Sequence, residues 1–119
     1  FTRVNDTHAC HKTRYVYGAV FNPTRPFSFD GVMKYDNATQ QTVTYKFGDQ
    51  RFGGEAVFAP KVGAAAEDDG YLICFVQDEG TDQSECVIID ARDVAAGPVA
   101  TILMPFRVPY GFHAGWVGS

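Results

Sequence analysis

Two residues carry side chains that could do chemistry in an apolar setting. Glu55 lies in Gly54-Glu55-Ala56-Val57-Phe58-Ala59, and His113 lies in Arg107-Val108-Pro109-Tyr110-Gly111-Phe112-His113-Ala114-Gly115-Trp116-Val117. Apolar neighbours dehydrate an imidazole and favour its neutral form, the form that binds a metal. One histidine does not make a metal site. His113 is therefore either a core residue or one ligand of a centre whose other ligands lie outside these 119 residues. A lone buried carboxylate is costly, so Glu55 needs a partner. Metal-bound histidines commonly donate their second ring N–H to a carboxylate, and Glu55 is of the type that accepts it. The plain alternative is a Glu55 that caps a backbone and a His113 that packs on Trp116.

The other reactive clusters read as ordinary. His8-Ala9-Cys10-His11 has metal-ligand residue types at tight spacing. It sits in a polar stretch with no second Cys/His cluster to complete a tetrahedral site, and reads as a solvated loop. Glu67-Asp68-Asp69-Gly70 lacks the alternating ligands of a calcium loop and reads as a solvated connection. There is no Gly-x-Ser-x-Gly elbow and no phosphate-binding glycine loop. Cys74 reads as a small buried hydrophobe. A bridge from Cys74 to Cys86 is open on spacing, although cysteine-sparse chains of this kind are usually reduced and intracellular.

Strands must position these groups. Val occurs thirteen times and Leu twice, and aromatics reach 14%, a bias toward β-structure. Turn signals separate expected strands at Arg14–Phe21, Gly31–Asp36, Thr42–Phe47, Glu55–Pro60, Tyr71–Asp78, Ser84–Asp90, Val99–Met104 and His113–Val117. Glu79-Gly80-Thr81-Asp82 marks a hairpin, and helix is limited to one turn around Asp90–Ala95. Tyr71–Val76 is apolar on both faces, as for a strand covered on both sides. Many short strands suggest a sandwich, barrel or propeller. A faint repeat sets Gly53–Phe58 against Gly111–Trp116 at an offset of 113 − 55 = 58 residues. A four-stranded blade with a long loop would fit that offset. Glu55 and His113 would then hold equivalent places on neighbouring blades, both facing the axis.

The net charge of −4 with scattered basic residues argues against nucleic acid. No apolar run approaches the ~20 residues that span a bilayer. The chain starts at Phe1 and not Met, so further sequence is expected upstream.

Several ordered blocks resemble the C-terminal part of the carotenoid cleavage oxygenases. These are Arg14-Tyr15-Val16-Tyr17-Gly18-Ala19, Gly53–Pro60, Glu67-Asp68-Asp69-Gly70-Tyr71-Leu72, Ile88-Ile89-Asp90-Ala91 and Arg107–His113. The resemblance implies an all-β fold, with residues 1–119 forming about the last two blades of a single seven-bladed β-propeller domain. It implies Fe2+ held by four histidines, with His113 as the last ligand and Glu55 as a carboxylate orienting a ligand histidine. It also implies a dioxygenase that cleaves a C=C bond of carotenoids, apocarotenoids or stilbenes with O2, giving two carbonyl products; some relatives isomerise retinyl esters instead. The other family histidines are absent: His8 and His11 do not fall on ligand positions. The rest of the propeller is therefore needed to complete the site, and this segment alone is expected to be inactive. Phe58, Phe112 and Trp116 are candidates for packing near the site or filling the core. The expected setting is cytoplasmic, with peripheral membrane contact for a lipophilic substrate. The competing reading is a non-enzymatic propeller or sandwich module that binds a partner, with His113 in the core.

Overall fold

A computed structural model of the chain describes residues 1–118. Two four-stranded antiparallel meanders make up the fold. The first runs β1 (Thr2–Arg3), β2 (Tyr15–Phe21), β3 (Phe29–Asp36) and β4 (Gln41–Lys46). After the short β5 (Arg51–Gly53), the second runs β6 (Val57–Pro60), β7 (Gly70–Asp78), β8 (Gln83–Asp90) and β9 (Pro98–Leu103). Each strand pairs with the next within its meander. The two are bridged by β5, which pairs Gly53 with Phe29 on one side and with Val76 on the other. This is the blade pattern of a propeller, with β1 and β6 as the leading strand of each blade.

The alternation of side chains explains the packing. Leu72, Cys74 and Val76 point to one face of β7 and are buried, while Phe75 between them is 45% exposed. The expectation that β7 is covered on both sides fails for this reason. The core covers one face; on the other, Gln77 is buried and Tyr71 and Ile73 are half-buried, but Phe75 stands open. That core joins both meanders: Tyr17 and Val32 from the first meet Phe58, Leu72, Val87 and Ile89 from the second. The Tyr17 and Phe58 rings stack at 5.3 Å. Each such apolar side chain contributes about 1.5–3 kcal/mol by leaving water, so the contact between blades is the main cohesive term.

Turn chemistry sets the hairpins. Asp78 pairs with Gln83 across the 79–82 loop, and the Asp78 carboxylate accepts the N–H groups of Gly80 and Thr81. Cys74 lies opposite Val87, and Cys86 lies opposite Phe75. The two thiols thus face opposite sides of the sheet and both are free, so no bridge forms between them.

The acidic run is not a solvated connection. Glu67 accepts the backbone N–H groups of Arg14 and Tyr15, and Asp68 pairs with Lys34 Nζ at 2.7 Å. Glu67 supplies acceptors at the point where β2 starts, and Gly70 is buried at the start of β7. A Cβ on Gly70 would lie 2.6 Å from the Ala59 carbonyl oxygen, so the close approach of β6 to β7 requires glycine there.

The last expected strand is also corrected. Residues 104–118 form no strand. Val117 and its neighbours have the composition for one, but a strand needs a ladder of backbone hydrogen bonds, and among the described residues none ties residues 105–118 to another segment.

Candidate functional site

Three chain segments meet where the meanders begin. Arg3 lies on β1, Glu55 lies two residues before β6, and His113 lies in the tail that follows β9. The tail meets the two leading segments through Ala114, although it forms no strand of its own.

The tail is pinned along its length. Ser84 Oγ accepts the Val108 N–H at 2.8 Å and donates to Gln77 Oε1. Tyr110 donates its hydroxyl to Glu79 at 2.7 Å, and Glu79 is held by both terminal nitrogens of Arg25. Gly54 lets the tail come close, since a Cβ there would lie 3.0 Å from the Gly111 carbonyl oxygen. The resulting cleft, about 210 Å³, is lined by Glu55, Phe75, Gln77, Tyr110 and His113 among others.

Glu55 is the buried anchor, its side chain only 3% exposed. Its Oε2 accepts the Ala114 N–H at 2.9 Å and an Arg3 Nη2 hydrogen at 2.8 Å. Burial alone would raise its carboxyl. The Arg3 and Ala114 hydrogen bonds outweigh that effect and hold it below the usual carboxylate range. His113 Nδ1 lies 3.7 Å from the same oxygen, beyond hydrogen-bond reach.

The structure therefore brings together both residues singled out from sequence. Glu55 does cap a backbone, as the plain alternative required. His113 is not a core residue, because its side chain is 77% exposed. It packs beside Phe1, with ring centroids 5.3 Å apart, rather than on Trp116. Phe58 fills the core, whereas Phe112 and Trp116 are about half exposed and do not. His8 ends the 3₁₀ turn Asp6–His8, Cys10 and His11 follow it, and none of the three lines the cleft.

Among the described residues no group of three or more His, Cys, Asp or Glu could hold a metal. As one donor to a shared centre, however, His113 fits. Its Nδ1 is turned toward a carboxylate, its Nε2 has no hydrogen-bond partner among the described residues, and the ring is open to solvent. That is the orientation expected of a ligand imidazole with a carboxylate behind it. Sequence reasoning missed Arg3. It lies 52 residues before Glu55, and the 58-residue offset counted back from Glu55 does not land on it, so the repeat gave no signal for it.

Comparison with known proteins points one way. The family model described as "RPE65: Retinal pigment epithelial membrane protein" matches residues 1–118. A carotenoid 9,10(9',10')-cleavage dioxygenase 1 of Arabidopsis thaliana is 40% identical over 98% of this chain and 24% of its own length. The apocarotenoid-15,15'-oxygenase of Synechocystis is 36% identical over 87% of this chain and 21% of its own length. Among solved structures, cobalt-substituted Synechocystis ACO superposes with a TM-score of 0.90 at 32% identity, covering all of this chain and 25% of that one. The chain spans about a quarter of the length of the relatives it matches.

Proposed function

This chain belongs to the RPE65 and carotenoid cleavage oxygenase family, and we propose that it is the last part of a propeller enzyme that cleaves a C=C bond of a carotenoid, apocarotenoid or stilbene. In this reading His113 is one ligand of a ferrous ion and Glu55 is its orienting carboxylate. The observation that supports the proposal is the Glu55–His113 pair, with Glu55 just before β6, His113 in the tail 3.7 Å from its carboxylate, and one imidazole nitrogen left free.

The residues divide the work. Glu55 accepts the Nδ1–H of His113 after a small closing movement of the ring, which leaves Nε2 as the lone-pair donor. Because Glu55 is itself held by Arg3 and Ala114, it is fixed before the imidazole arrives. Phe1 lies beside the imidazole, with ring centroids 5.3 Å apart, and covers part of one side of it. When bound, iron supplies a site for O2 beside the substrate double bond. One O2 is consumed per C=C bond broken, and each former alkene carbon ends as a carbonyl. The remaining ligands come from the rest of the propeller. We place the parent enzyme in the cytoplasm, with peripheral membrane contact for its lipophilic substrate; among the described residues no helix is long and apolar enough to cross a membrane.

The test is His113→Ala in the complete parent enzyme, read by iron content and by chromatography of carbonyl products from an apocarotenoid. Bound iron is expected to fall about tenfold or more, and product formation is expected to fall with it. A wild-type parent that purifies without iron and cannot take it up overturns the proposal. So does a variant that keeps full iron and full turnover. In the first case the chain would be part of a β-rich binding module; in the second His113 would not be a ligand.

A further inference from the structure

We propose that Arg3 is a positioning residue for this site: its guanidinium ties the Glu55 carboxylate to the Ala114 backbone and so sets where the His113 imidazole is held. The inference rests on the reading of His113 as a metal ligand.

Three hydrogen bonds close a ring. Arg3 Nη2 donates to Glu55 Oε2 at 2.8 Å and also to the Ala114 carbonyl oxygen, and the Ala114 N–H donates to the same Glu55 oxygen at 2.9 Å. Both polar groups of Ala114 are thereby engaged, and its N–H belongs to the peptide that joins it to His113. The geometry differs from that of a simple counter-charge. Two other arginines in this molecule meet carboxylates with two nitrogens side by side: Arg14 on Asp36 at 2.9 and 2.8 Å, and Arg25 on Glu79 at 2.7 and 2.7 Å. That fork gives arginine its strongest carboxylate contact. Arg3 gives it up. One nitrogen bridges carboxylate and backbone, and the buried Nε is left without a partner. An unpaired buried donor carries a penalty, so the arrangement is better explained by the bridge than by the charge pair alone. Arg3 is itself fixed by β1, where it pairs with Tyr17. Three blade-leading segments, 52 and 59 residues apart, are thus locked by one guanidinium.

Partners behind a metal ligand typically change metal affinity 10–100-fold when removed. The experiment uses the complete metal-free enzyme, titrated with Co2+ and followed by its visible d–d absorption, with Arg3→Met, Arg3→Lys, Glu55→Gln and the Arg3→Met/Glu55→Gln double variant. Arg3→Met is expected to weaken Co2+ binding about tenfold and to shift the d–d band. Arg3→Lys should recover most of the affinity, because an ammonium can donate to both oxygens. The double variant should bind no more weakly than Glu55→Gln alone, since Arg3 acts through Glu55. Wild-type affinity and spectrum in Arg3→Met overturn the inference, as do losses that multiply in the double variant. Should Arg3→Met fail to fold, Arg3→Gln replaces it under the same criteria. A wild-type enzyme that takes up no Co2+ overturns the proposed function and this inference with it. Normal uptake by wild type with an unchanged Arg3 variant overturns the inference alone.

Discussion

Tyr17 is among the most deeply buried side chains, and its hydroxyl has no hydrogen-bond partner among the described residues. Its ring is well used, stacked on Phe58 at the junction of the two blades. Burial pushes its hydroxyl far above the usual tyrosine range. The ring therefore stabilises while the oxygen costs, because an unsatisfied buried polar atom loses about 1–3 kcal/mol of solvation. Tyr17→Phe in the complete protein should be as stable as wild type or up to about 1 kcal/mol more stable, as measured by denaturant midpoint. A loss of more than about 1 kcal/mol would mean that a segment beyond the described residues supplies a partner. Glu55 is the opposite case. It is nearly as buried, but two donors meet its charge, and removal of one partner from such a pair is the costly change.

At the scale of elements, the β7–β8 hairpin acts as the mount for the tail that carries His113. Glu79, in the hairpin loop, holds Arg25 from the β2–β3 loop and Tyr110 from the tail. The Arg25 hydrogen bonds, followed by that of Tyr110, lower the Glu79 carboxyl from 4.5 to about 2. A carboxyl lowered by folding stabilises the folded form above its unfolded value, and that contribution disappears as the pH falls through the folded value. The latch should therefore be intact above about pH 4.5 and open progressively toward about pH 2. Hydrogen exchange at residues 110–112, corrected for intrinsic rates, should rise across that interval in wild type. In Glu79→Gln it should already be raised at neutral pH, with no further step on acidification. A wild-type profile that is flat across the interval would refute the latch.

At the scale of the molecule, one shared core joins two blades that leave much apolar surface uncovered. Phe75 on β7, Ile102 and Leu103 on β9, and Phe106 beyond it are all substantially exposed. Exposed strands with apolar faces invite pairing with other chains. When produced alone, these 119 residues should associate as concentration rises, seen as increasing mass in sedimentation velocity. They should also take up no Co2+ at micromolar concentration, because a single imidazole gives little affinity without further donors. A monomer with tight metal binding would contradict both expectations and would show that the segment is self-sufficient.

Some of this was legible in the residues alone. Valine-rich alternation and glycine or Asx turns specified most strands to within a few residues, because side-chain period and turn conformation are local properties. Glu55 and His113 stood out as titratable groups in apolar, glycine-flanked segments, and the fold brings them within 3.7 Å of each other. What stayed hidden depends on distant chain meeting in space. Arg3 looks like any surface arginine until β1 places it beside Glu55. Glu67 looks solvated until the unpaired N–H groups of Arg14 and Tyr15 come within reach of it. The alternation in β7 could not say whether the Phe75 face would be covered, because covering it takes another layer. Val117 and its neighbours have strand composition, but only a neighbouring strand turns composition into a strand. Local chemistry set the blades and named the imidazole. The tertiary arrangement decided which charges meet around it, because a hydrogen bond requires its two atoms at one place, and composition does not specify that place.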